Sequence, residues 1–133
     1  MEIESLYNLA EKENIYLFDT DIKDSSAMLC SDGNINAIAI DYSKLKTSTE
    51  EKCVLAEELG HYYCNATYSL SCIDEVLINK AEYRAKKWAA KALISPSDLK
   101  KAKLLGLKYK WELAEFFGVT ECIAEKAVNY IVD

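Results

Sequence analysis

Two glutamates and a histidine on one short segment are the residues of this chain whose types and spacing most directly suggest chemistry. His61 is the only histidine among 133 residues, and Glu57 and Glu58 precede it by four and three positions. Positions four apart on an α-helix share one face, so Glu57 and His61 would direct a carboxylate oxygen and an imidazole nitrogen at a common point. Both groups are ligands of divalent metals, and Glu58 is a candidate general base.

This spacing is one residue away from the His-Glu-x-x-His signature of zinc-dependent proteases. In that signature the outer histidines hold Zn²⁺ and the inner glutamate deprotonates the metal-bound water. Glu57 stands in the place of the first histidine, and Glu58 in the place of the inner glutamate. A carboxylate oxygen is a legitimate zinc ligand. If a second carboxylate joined Glu57 as a ligand, the two anionic groups would leave the metal a poorer Lewis acid. Such an oxygen-rich ligand set would favour Mn²⁺ or Fe²⁺ as alternatives to Zn²⁺.

A helix beginning after Thr47 is expected to carry these residues. Thr47 is a hydroxyl cap, and acidic residues follow it at the positive end of the helix dipole. Apolar residues then recur at helical spacing, at Val54, Leu55, Leu59 and Tyr62. A catalytic zinc needs three protein ligands, so a third ligand must come from another element. The next predicted helix runs from Asp74 to Leu93.

The remaining segments predict an α+β fold: a small antiparallel sheet of two or three strands packed on a mainly helical body. A first helix is expected from Ile3 to Glu13, and the turn Asp32-Gly33 between two apolar runs predicts a hairpin. Ser95 and Pro96 should begin a short helix that ends at Leu105. Residues 109–131 form two helices around a glycine turn, like a helix-turn-helix unit.

Composition limits the classes of partner. The net charge of −6 argues against direct nucleic-acid binding, and no apolar run is long enough to span a membrane. Half of the residues are apolar, which is enough for one core, so residues 1–133 are expected to form a single domain. Five scattered cysteines and the absence of a signal-like N-terminus predict a cytoplasmic protein with reduced thiols.

The chain resembles the ImmA/IrrE family of metallopeptidases, which are zincin-like in a minimal form. The resemblance is carried by residues 56–61, by the later Glu-x-x-Ala-x-x-aromatic-Ala pattern from Glu82 to Ala89, and by the preceding hairpin and the C-terminal helix pair. It implies Glu58 as the catalytic base and His61 and Glu82 as metal ligands, with Glu57 matching the first ligand in place but not in kind. Zn²⁺ is the metal that it implies.

The resemblance also implies a protein partner. Members of the family are often encoded in prophages and act against helix-turn-helix repressors, so a repressor-type transcription regulator is the expected substrate. The alternative is an inactive regulator that binds its partner through the same fold. A metal-free interaction domain is a third possibility.

Simpler interpretations of the same residues remain open. Glu57 and Glu58 could form a solvated acidic face, Glu82 could pair with Lys86 one turn later, and His61 could be a buried histidine with a structural partner. A thiolate metal site would use His61 with Cys64 and Cys72, but the cysteines lack the usual paired spacing.

Overall fold

The computed structural model describes residues 1–65 and 74–131. Its elements are α1 (Ile3–Lys12), β1 (Ile15–Asp19), β2 (Ala27–Ser31), β3 (Asn36–Ile40), a 3-10 turn (Tyr42–Lys44), α2 (Ser48–Tyr63), α3 (Glu75–Leu93), α4 (Pro96–Leu104), α5 (Lys110–Phe117) and α6 (Glu121–Ile131). The predicted α+β class is confirmed. Within the described ranges, no helix is long and apolar enough to cross a membrane.

Two helices begin at side chains that satisfy free backbone groups. The hydroxyl of Thr47 accepts the backbone N–H of Glu50 at 3.1 Å and caps α2. Ser95 accepts the N–H of Asp98 at 3.1 Å and caps α4, whose first turn contains Pro96. Both starts were predicted from these residue types, and both are confirmed.

The sheet is mixed, with the strand order β1-β3-β2. β2 and β3 form the predicted antiparallel hairpin, paired from Ala27 opposite Ile40 to Ser31 opposite Asn36. Gly33 in its turn has a φ of 95°. β1 pairs with β3 in parallel, so the expectation of a wholly antiparallel sheet is wrong for this strand. After β1 the chain crosses the carboxyl end of β3 and forms β2 on the other side of that strand. The hairpin then returns as β3, which therefore runs in the same direction as β1.

The segment that makes this crossing forms an arch, residues 20–26. β1 and β3 end side by side, and β2 begins at that same end of the sheet. The arch therefore spans the carboxyl end of β3, where Asp41 follows Ile40 directly. Its first residue is bonded to the strand beneath it, since the N–H of Thr20 donates to the carbonyl of Ile40 at 3.1 Å.

One hydrophobic cluster joins the sheet to the helices. α2 contributes Leu55 and Leu59, and β3 contributes Ile38 and Ile40, all of them fully buried. α3 packs along α2, and its buried positions are mostly alanines: Ala81, Ala85, Ala89 and Ala90. Small side chains at these positions let the two helices approach closely.

α5 and α6 pack against the body of the fold. Gly118 ends α5 in the left-handed conformation, and α6 then packs on α3 and α5, burying Ile123, Ala124 and Ala127. Lys126 on α6 is partly buried, and its ammonium lies 5.7 Å from the ring centroid of Tyr130. This packing agrees with a structural role for the helix pair.

Candidate functional site

α2 presents the three residues of the motif on its inner side. His61 is buried, with 6% of its surface exposed. Glu57 and Glu58, one turn earlier, are partly buried. The interpretation of the two glutamates as a solvated acidic face is therefore wrong, because both side chains are partly buried and line a cavity.

α3 supplies the fourth residue. The Oε1 atom of Glu82 lies 3.4 Å from Nε2 of His61, which brings two of the predicted ligands into contact. The contact depends on the close packing of α2 against α3. A Cβ atom added to Gly60 would lie 3.0 Å from the carbonyl carbon of Ala85 and nearer still to its oxygen, so only glycine fits there. This close approach of the two backbones accounts for a glycine in the interior of α2.

The four residues open onto a cavity of about 260 Å³. One wall is formed by α2 and α3, and the other by the end of the arch and the first part of β2. The lining residues are Ser25, Ser26, Ala27, Met28, Leu29, Val54, Glu57, Glu58, His61 and Glu82. A cavity of this kind, with convergent ionisable groups on one side, is the usual form of a small catalytic site.

The carboxyl of Glu58 has a strongly altered acidity. Burial is the main cause and raises its pKa from 4.5 to about 7, and the neighbouring carboxylates of Glu82 and Glu57 act in the same direction. His61 and the backbone N–H of Leu29, which donates to Glu58, both oppose the rise. The carboxyl of Glu58 therefore titrates near neutral pH, the range in which a general acid and base is most effective.

The pKa of Glu57 is also raised. Burial raises its pKa, the charge of Glu82 raises it further, and the ammonium groups of Lys86 and Lys126 lower it. Three carboxylates and one imidazole thus line one small cavity. Such a group is stabilised by proton uptake or by a bound cation.

Residues 6–129 match the model of the peptidase M78 family, described as the IrrE N-terminal-like domain. The chain belongs to this family. The match runs from α1 into α6 and includes every residue of the cavity. No curated protein and no solved structure matches the chain. Membership of the M78 family supports a metallopeptidase-type function and implies a metal.

The donor chemistry of this M78 domain fits a divalent cation. Imidazole nitrogen and carboxylate oxygen are standard ligands. A cation would offset the burial, and the smaller carboxylate repulsion, that raise the pKa values of Glu57 and Glu58. His61 and Glu82 are already in contact. Among residues 1–65 and 74–131, however, no three His, Cys, Asp or Glu side chains are close enough together to hold a metal as they stand. The proposed ligands are therefore only partly brought together: His61 and Glu82 are in contact, but no third ligand within the described ranges is close enough to complete the site.

The simpler role considered for His61, a buried histidine with a structural partner, agrees with its burial and its contact with Glu82. The pairing considered for Glu82 is replaced by another contact. Glu82 contacts His61, whereas the charge of Lys86 acts on Glu57. The thiol of Cys64 lies 3.6 Å from the carbonyl of Arg84 on α3, which gives it a backbone partner. Cys72, the other thiol of the alternative metal site, lies outside the described residues.

Several residues of the site were not found from the sequence. Ser25 and Ser26 in the arch and Met28 and Leu29 in β2 line the cavity opposite α2. They carry no motif, because their role follows from the position of the arch and of β2 at the edge of the sheet. Only the correct strand order would have indicated them.

Proposed function

We propose that this chain is a metallopeptidase that hydrolyses peptide bonds in a protein substrate, with the cavity between α2, α3 and β2 as its active site. The observation that carries this proposal is the buried carboxyl of Glu58, with a pKa of about 7, beside the contact between His61 and Glu82. A buried base tuned to neutral pH next to potential metal ligands is a recurrent feature of catalytic sites and is costly to maintain elsewhere. The family membership supports the same class of reaction.

His61 and Glu82 would hold the metal, and Glu57 would complete the ligand set. When bound, the metal would supply Lewis acidity that lowers the pKa of water and polarises the substrate carbonyl. Glu58 takes a proton from the attacking water as the water oxygen bonds to the carbonyl carbon. It then delivers that proton to the amide nitrogen as the C–N bond breaks. We propose Zn²⁺ as the metal, with Mn²⁺ and Fe²⁺ as alternatives for this oxygen-rich set.

We further propose that the substrate is a helix-turn-helix repressor. The support is the resemblance of the motif on α2 and α3 to the ImmA/IrrE family. Its members are often encoded in prophages and act against helix-turn-helix repressors. A cytoplasmic location would bring the two proteins together, and it agrees with the free thiols of the described cysteines, which are Cys30, Cys53, Cys64 and Cys122.

The first experiment is elemental analysis of protein purified without chelators. We expect Zn²⁺, Mn²⁺ or Fe²⁺ bound one per chain, and its loss in the His61→Gln variant. The exposed variant Glu115→Gln on α5 serves as the control and should keep its metal. Wild-type protein with no bound metal, which also takes up none when each of the three ions is added, would refute the metal site.

The second experiment measures hydrolysis by wild type and Glu58→Gln, with a candidate repressor co-expressed and with labelled casein as a general substrate. Loss of a general base slows a reaction by about 10²- to 10⁴-fold, so repressor cleavage should disappear in Glu58→Gln while metal binding persists. Equal loss of the repressor with both proteins would rule out hydrolysis by Glu58. Stable binding without cleavage by wild type would instead support a regulator that acts by binding.

A further inference from the structure

Asp41 holds the arch from the end of β3. Its side chain is buried, with the residue only 4% exposed, and its Oδ2 atom accepts the backbone N–H of Ile22 at 3.1 Å. The N–H of Asp41 donates to the carbonyl of Ser26 at 2.8 Å. One residue is therefore bonded to both the first half and the last residue of the arch.

Lys44 holds the same segment through its ammonium group. The Nζ atom donates to the carbonyl oxygens of Ser25 at 3.0 Å and Lys23 at 3.2 Å, and also to that of Ile22. An ammonium has three N–H donors, so its donors match the number of arch carbonyls that it contacts. The carboxylate of Asp41, 3.9 Å from Nζ, balances the charge.

Ser43 fixes the other side of the Asp41 carboxylate. Its hydroxyl donates to Oδ1 at 2.5 Å and its backbone N–H donates to the same atom at 3.2 Å. These bonds, together with the N–H of Ile22, hold the pKa of Asp41 below its usual value. The carboxylate therefore stays charged, and the connection between the 3-10 turn and the arch persists, throughout the neutral pH range.

The arch held in this way is a wall of the proposed active site. Ser25 and Ser26 line the catalytic cavity. Ser26 and Lys44 also line a second cavity of about 230 Å³, which shares Val54 and Glu57 with the first. Ser26 thus lies beside both cavities, opposite Val54 and Glu57 of α2. A peptide that extended from one cavity into the other would pass between Ser26 and α2.

We propose that Asp41 and Lys44 are positioning residues for substrate binding: by holding the arch, they set the width of the groove that joins the two cavities. This inference rests on the proposed peptidase function, because the groove matters only if a peptide lies in it. Neither residue lines the catalytic cavity, so neither takes part in bond cleavage. The expected effect of loosening the arch is weaker substrate binding with an unchanged chemical step.

The test compares Lys44→Met with Lys46→Met. Methionine keeps the length of the side chain and removes the ammonium in both variants. Lys46 is two residues away, and its ammonium makes no hydrogen bond or ion pair within residues 1–65 and 74–131, so it is a matched control. Lys44→Arg restores a cation with several donors. Since the Lys44 side chain is 38% exposed, Lys44→Met should remain folded, which its melting temperature checks.

The first measurement is hydrogen–deuterium exchange without substrate. Lys44→Met should raise the exchange of the arch amides by about tenfold, the effect of losing hydrogen bonds to a charged group, and leave α2 and α3 unchanged. Lys46→Met should match wild type, and Lys44→Arg should recover protection. Asp41→Asn, which weakens the same arch bonds from the other side, should show the same increase confined to the arch.

The second measurement is peptide hydrolysis with labelled casein. Lys44→Met should raise KM severalfold and leave kcat near the wild-type value. This inference is wrong if the arch amides of Lys44→Met exchange at the wild-type rate. It is also wrong if Lys44→Met lowers kcat without raising KM. A wild-type protein that cleaves neither casein nor the repressor would overturn the proposed function instead, and the exchange data would be unaffected by that result.

Discussion

Gly60 on α2 lies directly against the backbone of Ala85 on α3, with no space for a side chain between them. A Cβ atom at Gly60 would be 3.0 Å from the carbonyl carbon of Ala85 and 3.1 Å from its Cα. The next residue on α2 is His61, and Glu82 lies one turn before Ala85 on α3. The separation of the two helices at this point therefore determines whether His61 and Glu82 can touch.

Gly60→Ala should destabilise the protein. In an ordinary helix this change stabilises by about 1 kcal/mol, because alanine restricts the unfolded chain. Here the methyl group meets backbone atoms, and overpacking of this kind costs about 1–3 kcal/mol. Urea denaturation measures the free energy of unfolding and gives the sign directly.

The same geometry supplies a control for Gly60→Ala. Because the clash involves the backbone of Ala85, adding Ala85→Gly should not restore stability. A Gly60→Ala variant more stable than wild type would show that the helices can separate freely, and that Gly60 does not set the contact between His61 and Glu82.

Local features of the fold could be predicted from the sequence, whereas the strand order could not. Thr47, Ser95 and Gly33 act within a few residues of themselves, so their residue types determine two helix starts and the hairpin turn. The parallel pairing of β1 with β3 depends on where the arch crosses. That crossing is held by Asp41 and Lys44, which are about twenty residues away from it in sequence.

The same distinction applies to the site. Glu57, Glu58 and His61 lie on one helix, so helical spacing was enough to group them, and the contact of His61 with Glu82 agrees with the family motif. The opposite wall, from Ser25 to Leu29, follows from the strand order and was missed. The charges of Lys86 and Lys126 on Glu57 were also missed, because helix spacing alone does not orient α3 and α6 toward α2.

The metal-free protein should lose stability as pH rises through the neutral range. Burial raises the folded pKa of Glu58 to about 7, above its ordinary value of 4.5. The folded state therefore binds more protons than the unfolded state between these values. The free energy of unfolding is highest below pH 4.5 and falls as the pH rises to about 7. The decrease is up to about 3 kcal/mol for Glu58 alone. Glu57 contributes in the same direction.

Urea denaturation in the presence of EDTA checks this dependence. Glu58→Gln cannot ionise, so its stability should fall less than that of wild type between about pH 5 and about pH 8. Glu11→Gln, on the exposed side of α1, should keep the wild-type dependence. If Glu58→Gln and wild type lose stability in parallel, burial of the Glu58 charge is not the cause.

Glu82→Gln should weaken metal binding. Glutamine keeps the shape of the side chain but loses the charge that faces Nε2 of His61. Changes even to residues around metal ligands cost about 10- to 100-fold in affinity, so loss of this proposed ligand should cost at least as much. Competition with a chromogenic chelator measures the affinity for Zn²⁺. Glu75→Gln, exposed near the start of the same helix, is the control, and equal affinities in the two variants would remove Glu82 from the ligand set.

Glu57→His should convert the site into a more active one. The change replaces one of two anionic ligands with a neutral imidazole, so the bound metal would carry a net positive charge and be a stronger Lewis acid. It also removes a carboxylate that raises the pKa of Glu58, so the acid limb of the pH–rate profile should move to lower pH. We expect faster hydrolysis of labelled casein at neutral pH. Glu115→His adds a histidine on the exposed side of α5 and should change neither rate nor profile. If Glu57→His binds Zn²⁺ and yet hydrolyses no faster than wild type, the glutamate at position 57 is not what limits the reaction.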